Sequence, residues 1–435
     1  MSKGQKNFSL LIISIMMIVL NSEANVMAPT LSVIEKEFGV NDTMIGLMAG
    51  LFTLIGAIVS LFWGYFADKA SRKFLFLLAI LIGEIPCALT ALAGDWPTFF
   101  ALRILAGIGL GASFPLVFAI IGDLFDEKER PWAAGMISVA MAVGTIVGTL
   151  IGGYVGADGN WRLPFILASV PNFLFVAIYW FFTPESKAAA SEEATAELVA
   201  SGLVYPKRIR LADYAGLFRT RTNLYLLLQG IAGTIPWGAF FFINKFLEED
   251  KGLSITDATT VFLVFGLGMV AGNVLAGPIG GRLYKRDPRL MPLFCAATTL
   301  AGSLGVIYVV LWAPANLILL SILGFAAACM AALTGPNTKT MLLDTNAPEH
   351  RGAIFSIFNI TDSLGTGIGK FVAGILSGAF GLAVSLAACS AMWVLCAVFL
   401  AIAATVFVGD IAALRSRMKS VAQEMRLATA TNPGS

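Results

Sequence analysis

Charge is scarce in this chain of 435 residues: Asp, Glu, Lys and Arg make up 13%, against 57% hydrophobic residues. So little polar surface cannot solvate a water-soluble globule of this length, and a bilayer has to be the solvent. Histidine is nearly absent, and the one present, His350, stands at a helix start, which argues against His-based metal or triad chemistry. The five cysteines (Cys87, Cys295, Cys329, Cys389, Cys396) lie inside apolar runs without a CxxC spacing, so neither a disulfide framework nor a zinc site follows. A phosphate loop is also lacking, since Gly365-Thr-Gly-Ile-Gly369-Lys370 has Leu364 where the first glycine belongs. With no nucleophile and base pair, no metal cluster and no ATPase motif, the expectation is a protein that is not an enzyme and holds no cofactor or metal. Any uphill work must then draw on an ion gradient. A net charge of +2 gives no reason to expect a nucleic-acid partner.

What is present in quantity is long apolar runs. A spanning helix needs roughly 20 mostly apolar residues, and such runs fall near 8–31, 44–67, 74–93, 97–121, 132–156, 164–183, 222–245, 257–281, 290–312, 316–343, 352–378 and 382–409. The basic residues sort to one side of them: 23 of the 29 Lys and Arg fall in segments that are inner if the N-terminus is cytoplasmic. Both termini are therefore expected in the cytoplasm and the chain in a cell membrane, inner or plasma, as a multi-pass protein. A cleaved signal peptide is the competing reading of the N-terminus, with Lys3 and Lys6 before an apolar run. It would put Pro29 directly after the cut and leave an odd number of helices.

The chain repeats itself. The stretch from Asp123 aligns without gaps on the stretch from Asp344 at an offset of 221, matching Arg130 to Arg351, Gly144 to Gly365 and Gly148 to Gly369. Gly64, Arg72 and Lys73 pair with Gly277, Lys285 and Arg286 at an offset of 213. The fold class expected is an all-α membrane protein of twelve transmembrane helices in two parallel six-helix repeats, with a substrate site between them near the midplane. Its divisions are 1–183 and 222–409 for the bundles, 184–221 for a cytoplasmic linker and 410–435 for a cytoplasmic tail lying along anionic lipid.

Three motifs carry a resemblance. Gly64-Tyr-Phe-Ala-Asp68-Lys-Ala-Ser-Arg72-Lys73 closes the second span; Arg103-Ile-Leu-Ala-Gly107-Ile-Gly109-Leu-Gly111 stands in the fourth; Gly144, Gly148, Gly152 and Gly153 punctuate the fifth. Together they resemble the major facilitator superfamily, and residues 20–165 look like its Spinster branch, with Glu23 where that branch has an acid and Arg103 where it has an arginine. Ala24 and Leu110 depart from the branch pattern, and Thr149 replaces the proline of the antiporter glycine motif. The resemblance implies a cytoplasmic latch built on Gly64, Asp68, Arg72, Lys73, Arg130 and Arg351. Plain positive-inside topology accounts for the same basic residues. Simple helix packing likewise accounts for Gly144, Gly148, Gly152, Gly365 and Gly369, because small residues four apart permit tight contact in lipid.

Ionisable residues inside spans are costly and mark pathways. Glu23 in the first span, Glu84 in the third, Arg103 in the fourth and Asp362 in the eleventh qualify. At about 1.5 Å per residue, Glu23 and Arg103 reach similar heights, which makes them the leading proton-coupling pair, with a static bridge as the alternative. Glu84 and Asp362, with Trp237, Phe241 and Asn244, are candidates for the substrate cavity, although an aromatic cluster in the seventh span also suits packing. Asn41-Asp-Thr43, formally a glycosylation sequon, is better explained by helix capping. The expected activity is proton-coupled secondary transport by alternating access. The cargo expected from the resemblance is an amphipathic solute such as a lysolipid; drug/proton antiport, organic-anion symport and a non-transporting sensor are the alternatives. The partners are that solute, protons and membrane lipids, and the chain is expected to act as a monomer.

Overall fold

The computed structural model describes residues 3–67, 71–125, 129–184, 216–347 and 350–431. Twelve helical segments are long and apolar enough to cross a bilayer, and no strand occurs among the described residues. In lipid every backbone N–H and C=O must be satisfied within the segment, which is why apolar runs of this length become helices. The first six spans are α1 (Lys3–Asn25) continued by α2 (Leu31–Phe38), α3 (Asp42–Ala67), α4 (Arg72–Thr90), α5 (Trp96–Leu124), α6 (Arg130–Leu150) ending in a π turn at Ile151–Val155, and α7 (Arg162–Phe182). The second six are α8 (Arg221–Ala239) with α9 (Ile243–Glu249), α10 (Ile255–Arg286), α11 (Leu290–Leu311), α12 (Leu317–Ala332) with α13 (Thr334–Thr345), α14 (Arg351–Phe380) and α15 (Leu382–Thr431).

Polar residues at the span ends fix the starts. Ser71, Asp95, Ser254 and Asn316 each accept a backbone N–H from the first turn of α4, α5, α10 and α12. Asn41 does the same for Met44 at the start of α3, so capping is its role there. Between α2 and α3 the chain reverses at Gly39, whose φ of 63° is open to glycine at no steric cost. Three spans expected to be continuous are broken: α1 from α2 by a turn holding Pro29, α8 from α9 at Phe240–Phe242 after Pro236, and α12 from α13 at Leu333. The tail expected from residue 410 is helical as well, since α15 runs unbroken to Thr431. Most of the linker expected over 184–221 lies outside the described residues.

The duplication is visible in the packing. In the first set α1 lies on α6 and α7, α5 on α3 and α4, and α4 on α7; in the second, α8 lies on α14 and α15, α12 on α10 and α11, and α11 on α15. The glycines make the α1–α6 and α8–α14 contacts possible. A Cβ on Gly144, Gly148 or Gly152 would collide with the carbonyls of Ile18, Ser22 or Val26, and one on Gly365 or Gly369 with those of Ile231 or Ile235. Backbone therefore meets backbone at the same place in both sets. The two sets meet chiefly where α3 lies along α14.

Candidate transport site

Glu23 sits in the last turn of α1, just before the chain breaks at Pro29, and Arg103 lies two turns into α5. Their side chains meet: Arg103 Nη1 donates to Glu23 Oε1 at 3.3 Å, with the carboxylate 1% and the guanidinium 3% exposed. The guanidinium lies 5.0 Å from the Phe52 ring centroid and 5.3 Å from that of Phe165, so aromatic faces flank the charge. Close approach of α4 and α5 at Gly83 and Gly109, where neither can carry a Cβ without contact, brings Glu84 into the same layer. Glu84 is fully buried and accepts a hydrogen bond from Asn172 Nδ2 of α7, which also donates to Met16 O at 3.1 Å. A carboxylate oxygen from each of Glu23 and Glu84 and the Cys87 thiol lie within 4.8 Å of one another.

Across the contact between the sets stands Lys370 of α14. It is held against α3 because a side chain on Gly46 or Gly50 would clash with the backbone of Lys370 or Gly367. Lys370 Nζ donates to Thr53 Oγ1 at 2.9 Å and lies 5.9 Å from the Phe52 centroid and 5.3 Å from that of Phe241. Among the described residues no carboxylate comes within 4.0 Å of it. Phe52 thus has a cation from each set near its ring, Arg103 from the first and Lys370 from the second.

Asp362, two turns before Lys370 on α14, lines a cavity of about 260 Å³ inside the second set, together with Gln229, Trp237, Asn273, Lys339 and Trp393. Of the expected cavity residues, Trp237 and Asp362 are there. Phe241 instead faces Lys370, Asn244 is buried outside this lining, and Glu84 belongs to the layer of Glu23. The aromatic residues also pack: Trp237 meets Phe240, Phe265 and Trp393 at centroid distances of 5.2–6.0 Å.

Lys245, at the end of the seventh apolar run, is buried to 6% exposure. Its ammonium binds Glu35 of α2 and, at 2.6 Å, Asp42 of α3. Ser377 donates to Asp42, Thr43 to Gly374 O at 3.2 Å, Ser32 to Glu248 at 2.8 Å, and Tyr154 and Thr260 share a bond of 2.9 Å. Each of these joins the first set to the second, and each lies at the end opposite the basic residues Arg72 and Arg286. The available signal was a lysine at the boundary of a span, whose partners lie about two hundred residues away in sequence.

At the basic end, Arg72 pairs with Asp123 at 2.5 Å and Lys73 donates to the carbonyls of Trp180 and Thr183. These contacts tie α4 to α5 and α7 within the first set. Asp68 lies outside the described residues; Gly64 lies in α3, and Arg130 and Arg351 open α6 and α14, with side-chain placements outside the described part.

Twelve spans in two like-packed sets, with charged groups buried where they meet, define a polytopic membrane protein of the transporter class. Residues 11–333 match the family described as Major Facilitator Superfamily, and the chain belongs to it. It is 26% identical over 268 residues to the cis,cis-muconate transport protein of Acinetobacter baylyi, covering 59% of this chain and 62% of that one. It is also 26% identical over 261 residues to the probable sulfoacetate transporter SauU of Cupriavidus necator, covering 59% and 60%. The chain thus spans about three-fifths of the length of each. Its fold matches that of a bacterial homologue of the human lysosomal transporter Spinster, inward-facing and unoccupied, with a TM-score of 0.82 and 21% identity over 94% of this chain and 99% of that one.

Proposed function

We propose that the chain is a proton-coupled secondary transporter of small organic anions, working by alternate closure of its two ends. The observation that carries this reading is Lys370: an ammonium at the contact between the sets, hydrogen-bonded to a neutral hydroxyl and facing two aromatic rings, with no carboxylate of the described residues within 4.0 Å. Uncompensated charge at membrane depth is expensive, so a carboxylate on the solute supplies the missing partner while the rings accept its apolar body. That muconate and sulfoacetate, named for two relatives, are anions supports the same class. Arg103 is already engaged by Glu23 and becomes available to the solute when Glu23 takes up a proton. Closure around Lys245 leaves the site facing the basic end, which the charge rule assigns to the cytoplasm.

Drug/proton antiport is the second reading, favoured by Asp362, a carboxylate on a cavity wall that an organic cation would suit. The lysolipid implied by the Spinster resemblance yields to a smaller anion here, although its phosphate also suits Lys370. Proteoliposomes loaded at neutral pH and diluted into acidic buffer test the reading with labelled cis,cis-muconate, a lysophospholipid and a lipophilic cation as separate probes. Symport predicts muconate accumulation that a protonophore collapses and that Lys370→Gln abolishes. Cation efflux driven by the same gradient, with muconate inert, would replace symport by antiport.

A further inference from the structure

We infer that Glu23 and Glu84 form one proton-binding site, an acid pair that holds a single proton between two carboxyl groups while Arg103 balances the remaining charge. This deepens the proton-coupled reading above, and its test needs no transported solute.

Unpaired atoms mark the pair. Glu23 Oε1 takes the Arg103 bond and Glu84 Oε1 takes the Asn172 bond, yet Glu23 Oε2 and Glu84 Oε2 are both buried without a hydrogen-bond partner. Orphaned oxygens at this depth are rare, because each forfeits its hydration. A carboxylate oxygen from each residue falls within the 4.8 Å cluster, and the two side chains are 1% and 0% exposed. One hydrogen taken up by the pair supplies a donor in a layer where both orphaned acceptors lack one.

Charge balance requires the same state. Two carboxylates against the one guanidinium that touches them leave a net negative charge in this layer, and such groups lower the cost by sharing a proton. The groups facing the pair from each packed element are Arg103 on α5, Asn172 on α7 and Cys87 on α4 itself. Only Arg103 among them is cationic, so the layer balances with one proton and a metal ion would add positive charge beside the guanidinium. Asn172 completes the design: its amide donates to Oε1 whichever state Glu84 adopts, which fixes the carboxyl orientation. Its own Oδ1 is also unpartnered and offers a second acceptor when the proton swings away from Glu23.

Infrared difference spectroscopy of the purified protein in lipid, titrated across pH, reads the carboxylic-acid carbonyl directly. Wild-type protein is expected to show such a band at neutral pH. Glu84→Gln removes the pair's component of it, while Asp362→Asn and Glu35→Gln, which delete acids elsewhere in the fold, leave that component in place. In Glu23→Gln that component belongs to Glu84 alone, freed of its like-charged neighbour and closer to Arg103's favour. Its midpoint then moves to lower pH by about one unit or more, the signature of interacting sites. Glu84→Asp keeps the acid and serves as the folding control. A wild type without the band, a Glu84→Gln protein whose band is undiminished, or a midpoint unmoved by Glu23→Gln would each overturn the shared proton. Because no solute is involved, the result stands apart from whether the cargo is an anion.

Discussion

Lys245→Ala removes the cation that both acids bind and leaves Glu35 and Asp42 facing each other. All three side chains are nearly dry, with exposures of 6%, 10% and 11%. Removing one partner of a buried ion pair costs about 3–5 kcal/mol, because the remaining charge stays desolvated. Here that loss falls on the closed state alone, since separating the sets lets water reach both acids. At about 1.4 kcal/mol per tenfold change, even the lower figure shifts the closed-to-open equilibrium by roughly a hundredfold. Spin labels on Lys36→Cys and Ala315→Cys, exposed positions on the two sets, report the separation by pulsed electron resonance. All five native cysteines are buried, so labelling is confined to the introduced sites. Wild-type protein should give one short distance, and the Lys245→Ala variant a second, longer one that dominates. An unchanged distance distribution would show that Lys245 is not what holds this end shut.

Other outcomes follow from the packing and the site. Gly148→Leu forces a side chain into the Ser22 carbonyl and should lower the melting temperature sharply, whereas Gly135→Ala, with nothing within 4 Å, should leave it nearly unchanged. Similar melting of the two proteins would remove close backbone contact as the reason for the glycine spacing. Glu23→Gln should abolish gradient-driven accumulation while leaving solute exchange across the membrane intact, because exchange needs no net proton movement. Loss of both activities together would assign Glu23 to the solute site instead. Asp362→Asn should preserve anion uptake within a few-fold, and its elimination of uptake would bring the second-set cavity into the anion path.

Much of the scaffold was legible because bilayer physics is strict. Apolar runs of sufficient length have one conformational outcome, and glycines four apart between them mark where helices touch, as Gly144, Gly148 and Gly152 do against α1. Glu23 and Arg103 were legible for a related reason: a charge in an apolar span needs a partner at its own height, and helix rise gives the height. Breaks at Phe240–Phe242 and Leu333 were not, since apolar sequence on both sides hides a local change of hydrogen bonding. Lys370 falls within the eleventh apolar run, but nothing local says that it projects across to Thr53 and Phe52 of the other set. Asn172 carried even less signal, being neutral and small, and its importance comes only from meeting Glu84. Lys245 carried no local signal either, because burial at a span end depends on a partner from another part of the chain.

The central claim is that Lys370 awaits a carboxylate. Thermal stability of the purified protein, measured with a series of small organic acids and with the neutral amide of each, tests it most directly, since a ligand of the folded state raises the melting temperature by mass action. The account predicts that at least one acid stabilises wild-type protein, that its amide does not, and that the difference disappears in Lys370→Gln. Equal stabilisation by acid and amide, or an acid effect that survives Lys370→Gln undiminished, would contradict it.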